Sequence, residues 1–223
     1  MGEYYNWVNV DRKEYICPDD FDFGNKKYES LHREGEFMKA LRDLLANEWK
    51  GCRIIWMGDE CSLPQNVSTE VFEILKLQCD EFKCGGYIFD TVRELYTNIS
   101  GIYKCTEKTV REEIQFFLDY LENNNYIYNQ YGIDPKNPYK DLFIRDGRNY
   151  KNTINYTKSV AYSFETTKIL YQNGEECTFA DPLPILLAYG RAMQPGKWVG
   201  DIIGVSDDCP ENIRILDCIE LDY

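Results

Sequence analysis

The hydrophobic positions in the N-terminal part of the chain predict a hairpin, a helix and a strand, in that order. From Tyr4 to Ile16, aromatic and valine residues alternate with polar ones around a charged turn, which is typical of a β-hairpin. Between Glu36 and Asn47 the apolar residues recur about every 3.6 residues, so an amphipathic helix is expected there. The apolar run from Cys52 to Met57 predicts a buried strand.

Two more helices are predicted in the middle of the chain. Ser68 or Thr69 can cap a helix that runs to about Phe82, because a hydroxyl oxygen accepts hydrogen bonds from the free N–H groups of a first helical turn. A second helix, from Glu107 to about Asn123, carries its apolar residues on one stripe.

The rest of the chain predicts a linker and a second group of strands. Tyr and Asn are frequent between Asn125 and Asn152, and two Pro-containing dipeptides, Asp134-Pro135 and Asn137-Pro138, are turn signals. We therefore interpret this stretch as a linker. Strands are predicted at 152–162, 168–171, near 202–203 and at 213–221.

The first and last parts of the chain repeat one pattern. Asn9 is followed 40 residues later by Trp49, and Asn155 is followed 43 residues later by Trp198. Each tryptophan begins a W-x-G sequence that leads into an apolar run and then an acidic pair. This repetition predicts an internal duplication, with the two tryptophans buried at equivalent places.

The expected fold class is α+β, with two duplicated antiparallel β modules and a helical insert between them. The first module copy is assigned to residues 1–64, the helical insert to 65–124, the Tyr/Asn-rich linker to 125–151 and the second module copy to 152–223.

The composition indicates an acidic protein with enough apolar residues for a core. Hydrophobic residues make up 43% of the chain, and 38 acidic residues against 25 basic ones give a net charge of −13. A field of that sign repels phosphate backbones and anionic membranes, so neither nucleic acid nor membrane is expected as a partner. It favours a basic protein partner or divalent cations.

The nine cysteines predict free thiols in a reducing cytoplasm, because no signal peptide and no apolar run of roughly 18 residues is present. A zinc site is the alternative, since Cys79 and Cys84 stand close together and Cys105 follows. Structural zinc sites usually contain two tight cysteine pairs, and His32 is the only histidine. We therefore predict no metal and no cofactor.

Three short motifs lie in the second copy, at 155–158, 181–187 and 196–203, and read N-Y-T-K, D-P-L-P-I-L-L and G-K-W-V-G-D-I-I. This set resembles a family of small, uncharacterised bacterial proteins with N-H-T-K-K-E-Y, H-P-L-P-L-L-T and W-A-G-D-x-I motifs. The first copy resembles the sister pattern N-L-D-K-K-E-Y from Asn9 to Tyr15. Tyr156 and Asp181 stand where the family has histidine. The resemblance implies an immunity-like protein, similar to the small acidic proteins encoded beside bacterial toxins.

The sequence contains no recognisable catalytic motif, so no catalytic residue is predicted and a role other than an enzyme is favoured. Acidic residues form the one constellation that could carry chemistry. If the two copies pack about a local two-fold axis, carboxylates that follow equivalent strands could converge and bind a cation or act as an acid–base pair. The alternative is that they form solvated turns. These residues are Asp59, Glu60, Asp207 and Asp208, and a further acidic cluster, Asp19, Asp20 and Asp22, lies in a loop.

Two functions remain open at this point. The first is an immunity-type inhibitor that neutralises a basic toxin by covering its active cleft, using tyrosines and acidic residues of the 125–151 segment. The second is an enzyme, or a small-ligand or metal sensor, with an acidic and aromatic site between the module copies. The residues predicted to bind the partner are Tyr128, Tyr131, Tyr139, Asp134 and Asp141.

Overall fold

A computed structural model describes residues 2–64, 69–82, 86–121, 124–191 and 194–221. The predicted N-cap Ser68, the predicted helix end Asn123 and Cys84 lie outside these residues, as does the predicted segment boundary at 65.

The described residues form six α-helices and eleven strands. The helices are α1 (Glu36–Ala46), α2 (Glu70–Phe82), α3 (Ile88–Leu95), α4 (Glu107–Tyr120), α5 (Asn124–Tyr131) and α6 (Leu183–Leu186). The strands are β1 (Tyr5–Asn9), β2 (Glu14–Ile16), β3 (Ile54–Gly58), β4 (Thr97–Asn98), β5 (Asn152–Asn155), β6 (Val160–Ser163), β7 (Lys168–Leu170), β8 (Ala188–Tyr189), β9 (Ile203–Ser206), β10 (Arg214–Ile215) and β11 (Cys218–Glu220).

The strands form two larger sheets with the orders β4-β2-β1-β3-β8 and β10-β6-β5-β9, and a small sheet of β11 and β7. The central strand β1 is antiparallel to β2 and β3, and β5 is antiparallel to β6 and β9. The outer strands β4, β8 and β10 pair in parallel. The predicted α+β class is confirmed, but the sheets are mixed because strands from elsewhere in the chain add to the antiparallel centres.

The first sheet is buried on both faces. Alternate side chains of a strand point to opposite faces, and Trp7 packs with α1 in one core cluster whereas Val8 packs with α2 and α3 in another. All five residues of β1 and all five of β3 are buried. The sequence YNWVN does not alternate strictly in polarity because neither face meets water.

The first β unit, with β1–β3 and α1 in residues 2–64, and the second β unit, with β5–β11 in residues 152–191 and 194–221, contact each other closely. Helix α1 packs on β9, and β8 pairs with β3, so each unit contributes an element to the sheet region of the other. An isolated antiparallel bridge joins Arg53 to Ile202. The fully buried Arg42 on α1 also forms an ion pair with the fully buried Asp181 of the second β unit at 2.5 Å.

Helices α4 and α5 make a separate small core with buried Val110, Ile114, Ile127, Tyr131 and Ile133. The predicted linker at 125–151 therefore needs correction, because its first residues are helical and its apolar side chains pack against α4. Helix α5 was not predicted from the sequence, because the segment is rich in tyrosine, which is not a strong helix former.

A candidate acidic and aromatic binding site

The residues predicted to bind a partner do not share one environment. Tyr128 on α5 is 52% exposed and Tyr139 is 40% exposed, and Asp134 and Asp141 are exposed. The prediction for Tyr131 requires correction, because its ring is buried with Val110 and Ile114 and is inaccessible to a partner.

Two of the exposed residues also have local structural roles. The Arg111 guanidinium lies 4.6 Å from the centre of the Tyr139 ring. The Asp134 carboxylate accepts a hydrogen bond from the Lys136 backbone N–H at 2.9 Å, which closes a turn.

The acidic pairs of the two β units lie apart. Strands β3 and β9 both start beside the antiparallel Arg53–Ile202 bridge, so they run in opposite directions and their far ends diverge. Within the described residues three of the four carboxylates have side-chain or backbone partners elsewhere, whereas Asp208 bonds through its backbone N–H. Asp59 accepts from the Tyr4 N–H, Glu60 pairs with Arg191, Asp207 pairs with Arg148, and the Asp208 N–H donates to Ser206.

A cavity of about 400 Å³ lies between the first β unit and helices α3, α4 and α5. Four carboxyl groups and one guanidinium line it. Part of the cavity wall is aromatic and is formed by Tyr15, Phe89 and Tyr126. The charged residues are Asp19, Asp20, Glu94, Glu113 and Arg93.

Asp20 is held in the cavity wall by a 3₁₀ turn, Pro18–Phe21, that begins with proline and is anchored by the buried Phe21. The Asp20 carboxylate is 3% exposed and accepts a hydrogen bond from the Asn98 amide at 2.9 Å. Burial raises the pKa of Asp20 to about 6, against the opposing effect of hydrogen bonds from Ser100 and Asn98.

Glu113 faces the same space from α4. Burial, together with the charges of Asp20 and Asp19, raises the pKa of Glu113 to about 7. Its charge therefore changes near neutral pH, and a cation placed beside it would favour the ionised form.

An exposed group of aromatic rings adjoins the cavity on α4 and α5. Phe116 and Tyr120 are 59% and 75% exposed, and their rings stack with centres 5.6 Å apart. The ring centres of Phe117 and Tyr126 are 5.0 Å apart. We call these four residues the aromatic surface. Glu113, Tyr126 and Gln130 line both the cavity and the groove beside Phe116, so the two features are continuous.

Part of this site has a signal in the sequence. The Asp19-Asp20 cluster is visible there, but nothing local shows that it faces a helix about 90 residues away. Phe116 and Tyr120 lie on a different side of α4 from the buried residues Val110 and Ile114. Large aromatics on the polar face of a predicted helix are the signal that could have found this surface.

The described residues hold no group of three or more His, Cys, Asp or Glu side chains placed to bind a metal ion. The eight cysteines that the structure describes are free. In the part of the chain described, none of the helices combines the length and apolar character needed to cross a membrane.

Comparison of the chain with protein-family models, with curated proteins and with solved structures finds no match. The resemblance of its motifs to the bacterial family stays a prediction.

Proposed function

We propose that this protein is a cytoplasmic binding protein of the immunity type, which holds a basic protein partner on the aromatic surface and covers that partner's active cleft. The supporting observation is the continuity of exposed aromatic rings with an acidic cavity. Interfaces are anchored by buried aromatic side chains, and exposed clusters of such rings are uncommon on surfaces without a partner.

The charge distribution favours a basic partner. The chain carries a net charge of −13, and carboxylates flank the aromatic surface at Glu112 and Glu113. Complementary charge speeds association and selects the partner, whereas the aromatic anchors supply most of the affinity. Arg93 and Arg111 are nearby cations, but their guanidinium groups already stack on rings of this chain.

We also propose that the two β units are duplicates. Asn9 and Asn155 each end a central strand and accept a hydrogen bond from the N–H three residues later. Each hairpin then contains a left-handed residue, Lys13 with φ 55° and Ser159 with φ 54°. The two central strands are flanked in the same order.

The tryptophan regions support the same proposal. Trp49 and Trp198 are both buried, and the second residue after each is a glycine with positive φ, 77° at Gly51 and 86° at Gly200. The Arg53–Ile202 bridge joins positions four residues after each tryptophan, the relation that a local two-fold axis creates. The proposed segments remain 1–64, 65–124, 125–151 and 152–223, with 125–151 packed on the insert.

The alternative function, an enzyme or a small-ligand or metal sensor between the copies, has less support. The acidic pairs that would form its site diverge from the axis between the units. The cavity lies between the first unit and the insert instead.

Replacing Phe116 or Tyr120 by alanine is expected to weaken binding of the basic partner by about 30-fold or more, corresponding to about 2 kcal/mol, mainly through faster dissociation. The partner would be captured from the native lysate, identified, purified and measured by surface plasmon resonance. Phe179→Ala is the matched control, since Phe179 is 51% exposed on the second β unit. Equal affinity of the Phe116, Tyr120 and Phe179 variants would contradict the proposed interface.

A further inference from the structure

We propose that the cavity is a socket for one cationic side chain, a guanidinium or an ammonium, of the basic partner. This inference rests on the proposed function and assigns a role to the cavity beside the aromatic surface.

The charge of the cavity supports a cationic occupant. Asp19, Asp20, Glu94 and Glu113 place four carboxyl groups around it, against the single guanidinium of Arg93. Arg93 lies over the Phe89 ring at 5.0 Å. Cys17 and Tyr15 also line the cavity, and burial raises the pKa of both, so they stay neutral near pH 7.

A nearly buried amide in the cavity wall is a second observation. Asn6 is 5% exposed and lines the cavity. Asn6 lies on the same face of β1 as Val8, which packs toward α3. Its amide oxygen can accept a hydrogen bond from a guanidinium or ammonium donor in the cavity.

The position of the cavity favours a side chain from the partner over a free cation. Its wall and the aromatic groove share Glu113, Tyr126 and Gln130, so a protein lying on Phe116 and Tyr120 has a direct route into it. Tyr126 is 45% exposed and presents a ring on which an incoming cation can stack. A cavity of about 400 Å³ has room for a long basic side chain with some water.

The carboxyl pKa values give the expected pH dependence. Glu113 and Asp20 titrate near 7 and 6, so both are ionised at pH 8 and protonated at pH 5. Cation binding should therefore weaken as pH falls through this window. Protonation of Glu113 and Asp20 removes two of the attractive charges, whereas Arg93 keeps its own.

The test is an NMR titration of the full chain with propylguanidine, butylamine and the uncharged butanol. We expect both cations to shift the resonances of Asn6 and Glu113 at pH 8, with butanol inactive and with at least tenfold weaker binding at pH 5. Glu113→Gln should weaken the binding of the cations at least tenfold. Asp119→Asn, which removes a charge from an exposed position of the same helix, should leave it unchanged.

Equal responses to butanol and propylguanidine, equal effects of the two variants, or stronger binding of Ca²⁺ than of either organic cation would overturn the proposal. Glu113→Gln should also weaken binding of the purified partner. A loss confined to the small cations would identify a free cation as the occupant and exclude the partner's side chain. Phe116→Ala could weaken binding of the partner while Glu113→Gln changes the binding of neither the partner nor the cations. That result would contradict the socket and leave the proposed function standing.

Discussion

Replacing Asp181 by alanine is expected to lower the free energy of unfolding by about 3–5 kcal/mol. The Asp181 carboxylate is fully buried and bonds the Arg42 guanidinium at 2.5 Å, the Tyr162 hydroxyl and the Leu183 backbone N–H. Removing it leaves Arg42 charged in a fully buried position, where its Nε already lacks a hydrogen-bond partner among the described residues. Denaturant unfolding followed by tryptophan fluorescence measures the loss.

Two further variants separate this effect from general damage. Asp208→Ala removes an exposed aspartate in the same β unit and should change stability by less than about 0.5 kcal/mol. Combining Asp181→Leu with Arg42→Met removes both charges, and this double variant should be more stable than Asp181→Ala. A cost below about 1 kcal/mol for Asp181→Ala would show that the ion pair does not hold the two β units together.

Alanine at Trp49 and alanine at Trp198 are each expected to cost about 3–5 kcal/mol of unfolding free energy. Both indole rings are buried. Trp49 also donates a hydrogen bond to Glu14 at 2.8 Å, and Trp198 stacks on Tyr162 at 5.9 Å. If the two β units are duplicates, each tryptophan fills an equivalent space and the two losses should be similar, as measured by denaturant titration.

Tyr120→Ala is the control for these two variants, because a ring that is 75% exposed contributes little to folding. It should leave the free energy of unfolding nearly unchanged while weakening binding of the partner. A cost above 3 kcal/mol at one tryptophan and below 1 kcal/mol at the other would contradict equivalent packing.

Local pattern was enough to predict the regular elements with strong periodicity. The hairpin around Asp11, helix α1, strand β3 and helices α2 and α4 lie where the sequence places them, within a few residues. Short elements were missed, because β4, β8 and α6 are held by their neighbours and have almost no pattern of their own.

The site was harder to predict because it depends on contacts between distant parts of the chain. Asp20 accepts a hydrogen bond from Asn98 and lines one cavity with Glu113, although both residues are distant from it in the sequence. Tyr131 was predicted to lie on the surface and bind a partner, but it belongs to a buried core. The sequence pattern does not reveal this core, because the segment looks irregular.

Asp181 occupies a position whose surroundings favour a carboxylate. The position that reads histidine in the H-P-L-P-L-L-T motif lies beside the buried Arg42, where a carboxylate pairs with the guanidinium and a protonated histidine would repel it.

Site-specific photo-cross-linking in living cells tests the central claim most directly. A photoreactive phenylalanine analogue would replace Tyr120 on the aromatic surface and, in a separate variant, Phe179 on the second β unit. The proposal predicts a cross-link from position 120 to one basic protein, lost with Glu113→Gln in the same chain if the socket is occupied, and no such product from position 179. Cross-linking of the same protein from position 179 but not from position 120 would contradict the account.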